Sequence, residues 1–181
     1  MSKVLTPISM GFILCYAAVW CVLWAATPAS GLSLCLAAVL AIPCIWLSLT
    51  DLADFTIPDT ASLIIAATGL AGQWIFHPAD IGPTILVGSL FTAVFWGAGA
   101  LHYHMRGHEG LGIGDAKLMG AGVLCVGPVA IWWVVLIAAL GGIVAALIGR
   151  MRRPGPQTGI PFGPFLAYAI YILFVFQTSG V

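Results

Sequence analysis

Two aspartates stand out in a chain that otherwise avoids ionisable groups. Asp115 lies in "GHEGLGIGDAKLMG", residues 107–120, among glycines and two positions before Lys117; Asp51 opens "DLADFTIPDT", 64 positions earlier. A carboxylate near hydrocarbon is unfavourable and by default marks function. Two of them close together cannot both ionise easily, so such a pair shares one proton. One member then acts as a base toward water while the other, protonated, polarises a carbonyl. That chemistry is hydrolysis with water as the nucleophile, without a metal or a covalent intermediate. Its titration belongs to the pair and not to either residue.

The residues around the acids fit this scheme. Gly112 and Gly114 have no Cβ, so a second chain can come close to Asp115. An extended substrate could lie there and use the free backbone groups. Two plainer roles are also open: Asp115 as the N-cap of a helix starting near Ala116, and Lys117 as a side chain reaching toward the interface. Asp59, after Pro58, reads as the N-cap of another helix. Pro161, Phe162, Gly163 and Pro164 open the last apolar run, where proline suits a first helical turn and glycine permits close packing.

Other clusters carry less. His102, His104 and His108 with Glu109 could be drawn as a metal site, but a solvated loop with histidines titrating near neutrality is the simpler reading. Glu109 could orient the glycine segment. Cys15, Cys21, Cys35, Cys44 and Cys125 form no CxxC and no zinc spacing, and read as small hydrophobes packing between helices. No metal or cofactor is expected.

What must position the acids is set by composition. Of 181 residues, 61% are hydrophobic and 7% charged, against about 25% charged in soluble domains. Apolar runs follow one another with little between them, the mark of a helical membrane protein. Open sheets are excluded because their edges would face hydrocarbon, and the alternation of an outer-membrane barrel is absent. The expected fold is all-α, a polytopic transmembrane bundle in one domain over 1–181. The first apolar run reads as a retained helix, since no small-residue cleavage site stands apart from the next one. Zero formal net charge implies no nucleic-acid surface.

The pattern predicts helices near 8–26, 31–49, 60–76, 82–102, 115–126, 129–149 and 161–178. A single helix over 115–149 would be about 52 Å long, far beyond a hydrocarbon core of about 30 Å. Gly127-Pro128 offers the place to divide it, giving seven spans; undivided, there are six. Charge favours seven. Lys3, Arg106, Lys117, Arg150, Arg152 and Arg153 then share one side, whereas six spans would split them evenly. The positive side is cytoplasmic, which places the N-terminus inside, the C-terminus outside, and both Asp51 and Asp115 at the cytoplasmic face. Trp20, Trp24, Trp74, Trp96, Trp132 and Trp133 read as interface anchors and packing residues.

At these residues the sequence resembles the type IV prepilin peptidases, membrane aspartic proteases of the GxGD kind. Asp51, a short spacer and "IPD" ending at Asp59 are similar to the family's first aspartate motif. "GLGIGDAKLMGAG" resembles its GxGDxKL segment, with Asp115 as the second acid, and "IPFGPFLAYA" resembles the opening of its last helix. The resemblance implies endoproteolysis at the cytoplasmic side of a bacterial inner membrane. It implies pilin or pseudopilin precursors as substrates, each with a short basic leader ending in glycine before a hydrophobic helix. It also implies Asp51 and Asp115 as catalytic residues, with Pro58, Gly112, Gly114, Lys117, Pro161, Phe162, Gly163 and Pro164 supporting the site. Asp54, in a loop that carries acids and no base, is a candidate for attracting the basic leader. Larger members of the family also methylate the new N-terminus and carry paired CxxC motifs after the first helix. Here about four residues join the first two helices, so the short, peptidase-only form is expected. Oligomeric state is not readable. The residues alone also admit a small proton-coupled transporter, a non-catalytic subunit of a pilus or secretion machine, and more weakly a presenilin-like protease.

Overall fold

The computed structural model describes residues 7–26, 30–106, 112–152 and 161–179. These residues form six helices and no strand: α1 Pro7–Ala26, α2 Gly31–Asp54, α3 Asp59–Phe76, α4 Ile81–Arg106, α5 Ile113–Arg152 and α6 Gly163–Thr178, with a short 3-10 turn at Pro78–Asp80. The sequence's all-α expectation therefore holds. The stretches Gly31–Asp54, Pro78–Met105 and Ile113–Ile148 are long and apolar enough to cross a membrane.

α5 is the centre of the bundle. α4, α6 and α3 all pack on it, α2 packs on α6 and α3, and α1 lies mainly on α2. The core runs through Leu40, Leu47, Ile65, Leu118, Ile131, Ile170 and Phe174, all sealed from solvent. Tyr16 of α1 reaches the same core, its hydroxyl 3.4 Å from Ser48 Oγ and its ring 5.0 Å from that of Tyr171. Large apolar residues on the outer faces remain exposed, Leu63, Leu86, Trp74, Val129 and Trp132 among them. Such a surface suits lipid and not water.

α5 is broken where glycine meets proline. Gly127 has φ 80° and ψ 169°, outside the helical region and open only to glycine. Pro128 brings no N–H, and the turn at 127 takes the following amides away from the preceding carbonyls. Within hydrocarbon, carbonyls so freed need other donors. Two find them in side chains: Gln73 Nε2 of α3 donates to the Cys125 carbonyl at 3.1 Å, and Gln177 Nε2 of α6 donates to the Val126 carbonyl at 3.0 Å. The result is two helical arms, 113–126 and 128–152, with the first one deep in the core.

Several local expectations need correcting. α2 runs on to Asp54, past the expected end at 49, so Asp51 lies inside its last turn. α5 begins at Ile113, so Asp115 is a first-turn residue and not an N-cap. Pro58, with no side-chain cap bond, holds the N-cap position of α3 that Asp59 was expected to fill. Cys44 and Cys125 are buried, but Cys15, Cys21 and Cys35 face outward and do not pack between helices. Trp20, Trp74, Trp96, Trp132 and Trp133 are exposed, and Trp132 meets the Phe91 ring edge-on at 5.7 Å. The Trp24 side chain, Lys3, His108, Glu109, Ile160 and the side chains of Arg106, Arg150, Arg152 and Arg153 lie outside the described residues.

Candidate active site

Three segments far apart in sequence meet at one end of the bundle. The first is the C-terminal turn of α2. It stops at Phe55, the one described non-glycine residue with positive φ (54°, ψ 36°). The Phe55 N–H donates to the Asp51 carbonyl at 3.0 Å, which closes the turn and reverses the chain. A left-handed phenylalanine is uncommon, and such strain gathers at functional sites. The reversal brings Ile57 back toward Asp51.

The second segment is the start of α6. Pro161 and Phe162 lead into Gly163, and Pro164 occupies the first turn, where its missing N–H is no loss. The Gly163 N–H, one of the unpaired donors of a helix N-terminus, is 3.0 Å from Asp51 Oδ2. The positive end of the α6 dipole adds to that bond. A Cβ at residue 163 would lie 2.7 Å from Asp51 Oδ2 and 3.2 Å from Ile57 Cδ1. Only glycine leaves room for the carboxylate.

The third segment is the start of α5. Asp115 is half-buried, and its Oδ1 is sealed from solvent without a hydrogen-bond partner among the described residues. Its Oδ2 faces Gly112, where a Cβ would come within 3.2 Å. Gly114 lies against Ile57: a Cβ there would be 2.7 Å from Ile57 Cβ. Ile57 thus wedges between the two glycines that flank the acids.

Asp51 and Asp115 line the same cleft of about 400 Å³, together with Gly112, Gly114, Pro161 and Phe162. Both are drawn out of water, and neither is paired with a cation among the described residues. Lys117 lines the cleft too, but its Nζ is 2.7 Å from Asp59 Oδ1, in an ion pair at the rim. Asp54 is exposed at the end of α2 and does not line the cleft. Pro58 starts α3 behind it, and buried Pro164 continues α6. Phe55, Ile57 and Asp59 escaped sequence reasoning as cleft residues. Phe55 carries no local signal for a left-handed turn, and the roles of Ile57 and Asp59 arise only from the fold. His102 and His104 sit at the end of α4, and among the described residues no three metal-ligating side chains converge.

Chemically, the cleft offers one carboxylate tied to a backbone amide and one carboxyl with an oxygen left unpaired. An unmet hydrogen-bonding atom in such a place is held ready for something else. The pair can position a water between them and supply both a base and an acid.

An all-helical membrane protein with two aspartates facing one polar cleft is the class that fold and site define. A family model described as the type IV leader peptidase family matches residues 38–147, and the chain belongs to that family. Similar proteins include the prepilin leader peptidase/N-methyltransferase of Xanthomonas campestris pv. campestris, 34% identical over 128 residues, 68% of this chain and 44% of that protein. The protein of the same name from Burkholderia pseudomallei is 37% identical over 67% of this chain and 40% of its own length. That from Escherichia coli K12 is 34% identical over 67% and 54%. The chain thus spans about half the length of the curated relatives it matches. No solved structure matches. The family and the long apolar helices together mark a bacterial membrane protein.

Proposed function

We propose that this chain is an aspartic endopeptidase that removes the short basic leader from type IV pilin-like precursors. The observation that carries the reading is the meeting of Asp51 and Asp115 in one cleft from segments 64 positions apart. Asp51, whose Oδ2 accepts the Gly163 amide, takes the larger share of negative charge and acts as the base. Asp115 holds the shared proton and donates it to the substrate carbonyl oxygen as water adds to the carbon. The water gives one proton to Asp51; the resulting gem-diol then collapses, the amide nitrogen leaving with that proton while a hydroxyl of the diol returns its proton to Asp115. A carboxyl C-terminus and a free amino terminus are the products, with no net change of protons on the pair.

The acids sit at helix ends on one face. A proton-coupled carrier would place them near the midplane, in broken helices. The charge pattern of the sequence supports a cytoplasmic N-terminus, a periplasmic C-terminus and a site at the cytoplasmic face of the inner membrane. Asp54, exposed beside the cleft's α2 wall, is suited to draw a basic leader toward it. N-methylation is not part of the proposal, since these 181 residues contain no CxxC.

The test is co-expression with candidate pilin precursors and mass measurement of their N-termini. Cleavage should occur just after the leader glycine and should vanish in Asp51→Asn and in Asp115→Asn, with both variants still in the membrane. Intact leaders with every candidate, or cleavage surviving either substitution, would overturn the reading. Charge reversal by Asp54→Lys should slow leader cleavage at low salt and have little effect at high salt; an unchanged rate at low salt removes that role.

A further inference from the structure

We infer that the cavity at the break in α5 binds the headgroup of a zwitterionic aminophospholipid such as phosphatidylethanolamine. The phosphate lies at the start of the second arm of α5 and the ammonium at Asp80. The inference does not rest on the peptidase reading. The cavity, of about 610 Å³, is larger than the aspartate cleft and lies at the opposite end of the bundle. Its depth follows from the helices around it: Gln73 is in the last turn of α3, Gln177 in the last turn of α6, and Gly127-Pro128 ends the first arm of α5. Trp133 lines the cavity, and Trp74, next to Gln73 in the chain, is exposed. Tryptophans gather at the level of lipid headgroups.

Three observations identify the occupant. The first is a buried carboxamide with unmet capacity. Gln73 is 4% exposed and lines the cavity. A carboxamide has two N–H donors and an acceptor oxygen, and among the described residues its side chain makes one hydrogen bond, from Nε2 to the Cys125 carbonyl. Its Oε1 and second N–H are left for a ligand, since unpaired they are unfavourable beside hydrocarbon. The second observation is the start of the second arm. In an unbroken helix the amides of Val129 and Ala130 would bond the carbonyls of Cys125 and Val126. Gln73 and Gln177 take those carbonyls instead, and Val129 and Ala130 both line the cavity. Free amides at a helix start favour an anion such as phosphate. The third is charge. Asp80 is exposed at the rim with no cation paired to it, and no lysine or arginine lines the cavity, among the described residues. The ligand therefore carries a positive group beside its negative one.

The rest of the wall is apolar and faces outward. Val129 is 80% exposed, and Phe176 is exposed beside it, a surface suited to acyl chains below a headgroup. A free phosphoamine has no use for that wall. Phosphatidylglycerol brings no ammonium to Asp80, and for a metal ion no three ligating side chains converge among the described residues. An aminophospholipid satisfies the amides, the carboxylate and the apolar wall together.

The test titrates the full chain, purified in detergent, with phosphatidylethanolamine or phosphatidylglycerol of identical acyl chains, and reads bound lipid by native mass spectrometry. The wild type should hold one phosphatidylethanolamine about tenfold more tightly than phosphatidylglycerol, through attraction of the ammonium and repulsion of the lipid that lacks it. Asp80→Lys should abolish that preference or reverse it. Ala130→Phe, which fills the cavity beside the free amides, should weaken phosphatidylethanolamine binding about tenfold. Soluble phosphoethanolamine in about a hundredfold excess should leave the lipid bound, because it gains nothing from the apolar wall. Equal affinity for the two lipids in the wild type, a preference that survives Asp80→Lys, full binding in Ala130→Phe, or displacement by the soluble compound would each overturn the site. Should Ala130→Phe fail to fold, Asp80→Lys on the exposed rim decides. Leader cleavage enters none of these measurements, so their failure and that of the peptidase reading are separate results.

Discussion

The Gly163 amide donates to Asp51 Oδ2 at 3.0 Å, across 112 positions of sequence. That bond joins the end of α2 to the start of α6 and fixes one acid of the pair while the other keeps an unpartnered oxygen. Gly163→Ala keeps the amide but sets a Cβ 2.7 Å from the carboxylate oxygen. The carboxylate must swing away, and a misplacement of this kind lowers rate by about ten- to a hundredfold. The expected result is a loss of kcat with the melting temperature nearly unchanged. Full kcat would show that Asp51 need not hold this position.

Ile57 makes a second, reciprocal test. A Cβ at Gly114 would lie 2.7 Å from Ile57 Cβ and 3.3 Å from its Cγ1, so Gly114→Ala should displace the start of α5 and Asp115 with it. Ile57→Gly removes every side-chain atom in the way. The double variant should cleave better than Gly114→Ala alone, with a coupling of at least about 1 kcal/mol in the cycle. Strict additivity would mean that the two residues do not compete for this space.

The break in α5 predicts a stability effect remote from the acids. Gln73→Leu leaves the Cys125 carbonyl buried without its donor, a loss of about 1–3 kcal/mol. Thermal unfolding in detergent should show a lower midpoint, and Gln177→Leu a similar or smaller shift, since that side chain is less buried. Cleavage at permissive temperature should persist in both, because the break and the cleft lie at opposite ends of the first arm of α5. A lost activity with an unchanged midpoint would contradict this assignment.

How much of this was legible beforehand follows from range. The break at Gly127-Pro128 is legible because backbone chemistry acts within a residue or two. The two acids at helix ends on one face follow from span counting and charge. The left-handed Phe55 is not legible, since tertiary packing and not residue type imposes it. Nor are the amide donors that Gln73 and Gln177 supply, the wedge of Ile57, or the Lys117–Asp59 pair, 58 positions apart. Each depends on which helices become neighbours, and apolar runs of similar hydropathy do not specify that order.

The Lys117–Asp59 pair gives the last prediction. Its side chains are 41% and 67% exposed, so it contributes about 0–1 kcal/mol to stability, and Asp59→Asn should barely move the melting temperature. Its role is to hold an ammonium at the cleft's rim and away from the acids. Without Asp59, Lys117 can turn toward Asp51 and Asp115, and a nearby positive charge favours their ionised forms. The pair would then lose its shared proton at a lower pH than before. In the proposed mechanism the singly protonated pair is the working form, so the pH optimum of Asp59→Asn should move toward acid. Adding Lys117→Met removes the intruding charge and should return the optimum to its original place. High salt should shrink the shift, because exposed charges are screened over about 8–10 Å. An optimum that stays fixed in Asp59→Asn at low salt, or that remains displaced in the double variant, would show that the rim pair does not govern where Lys117 sits.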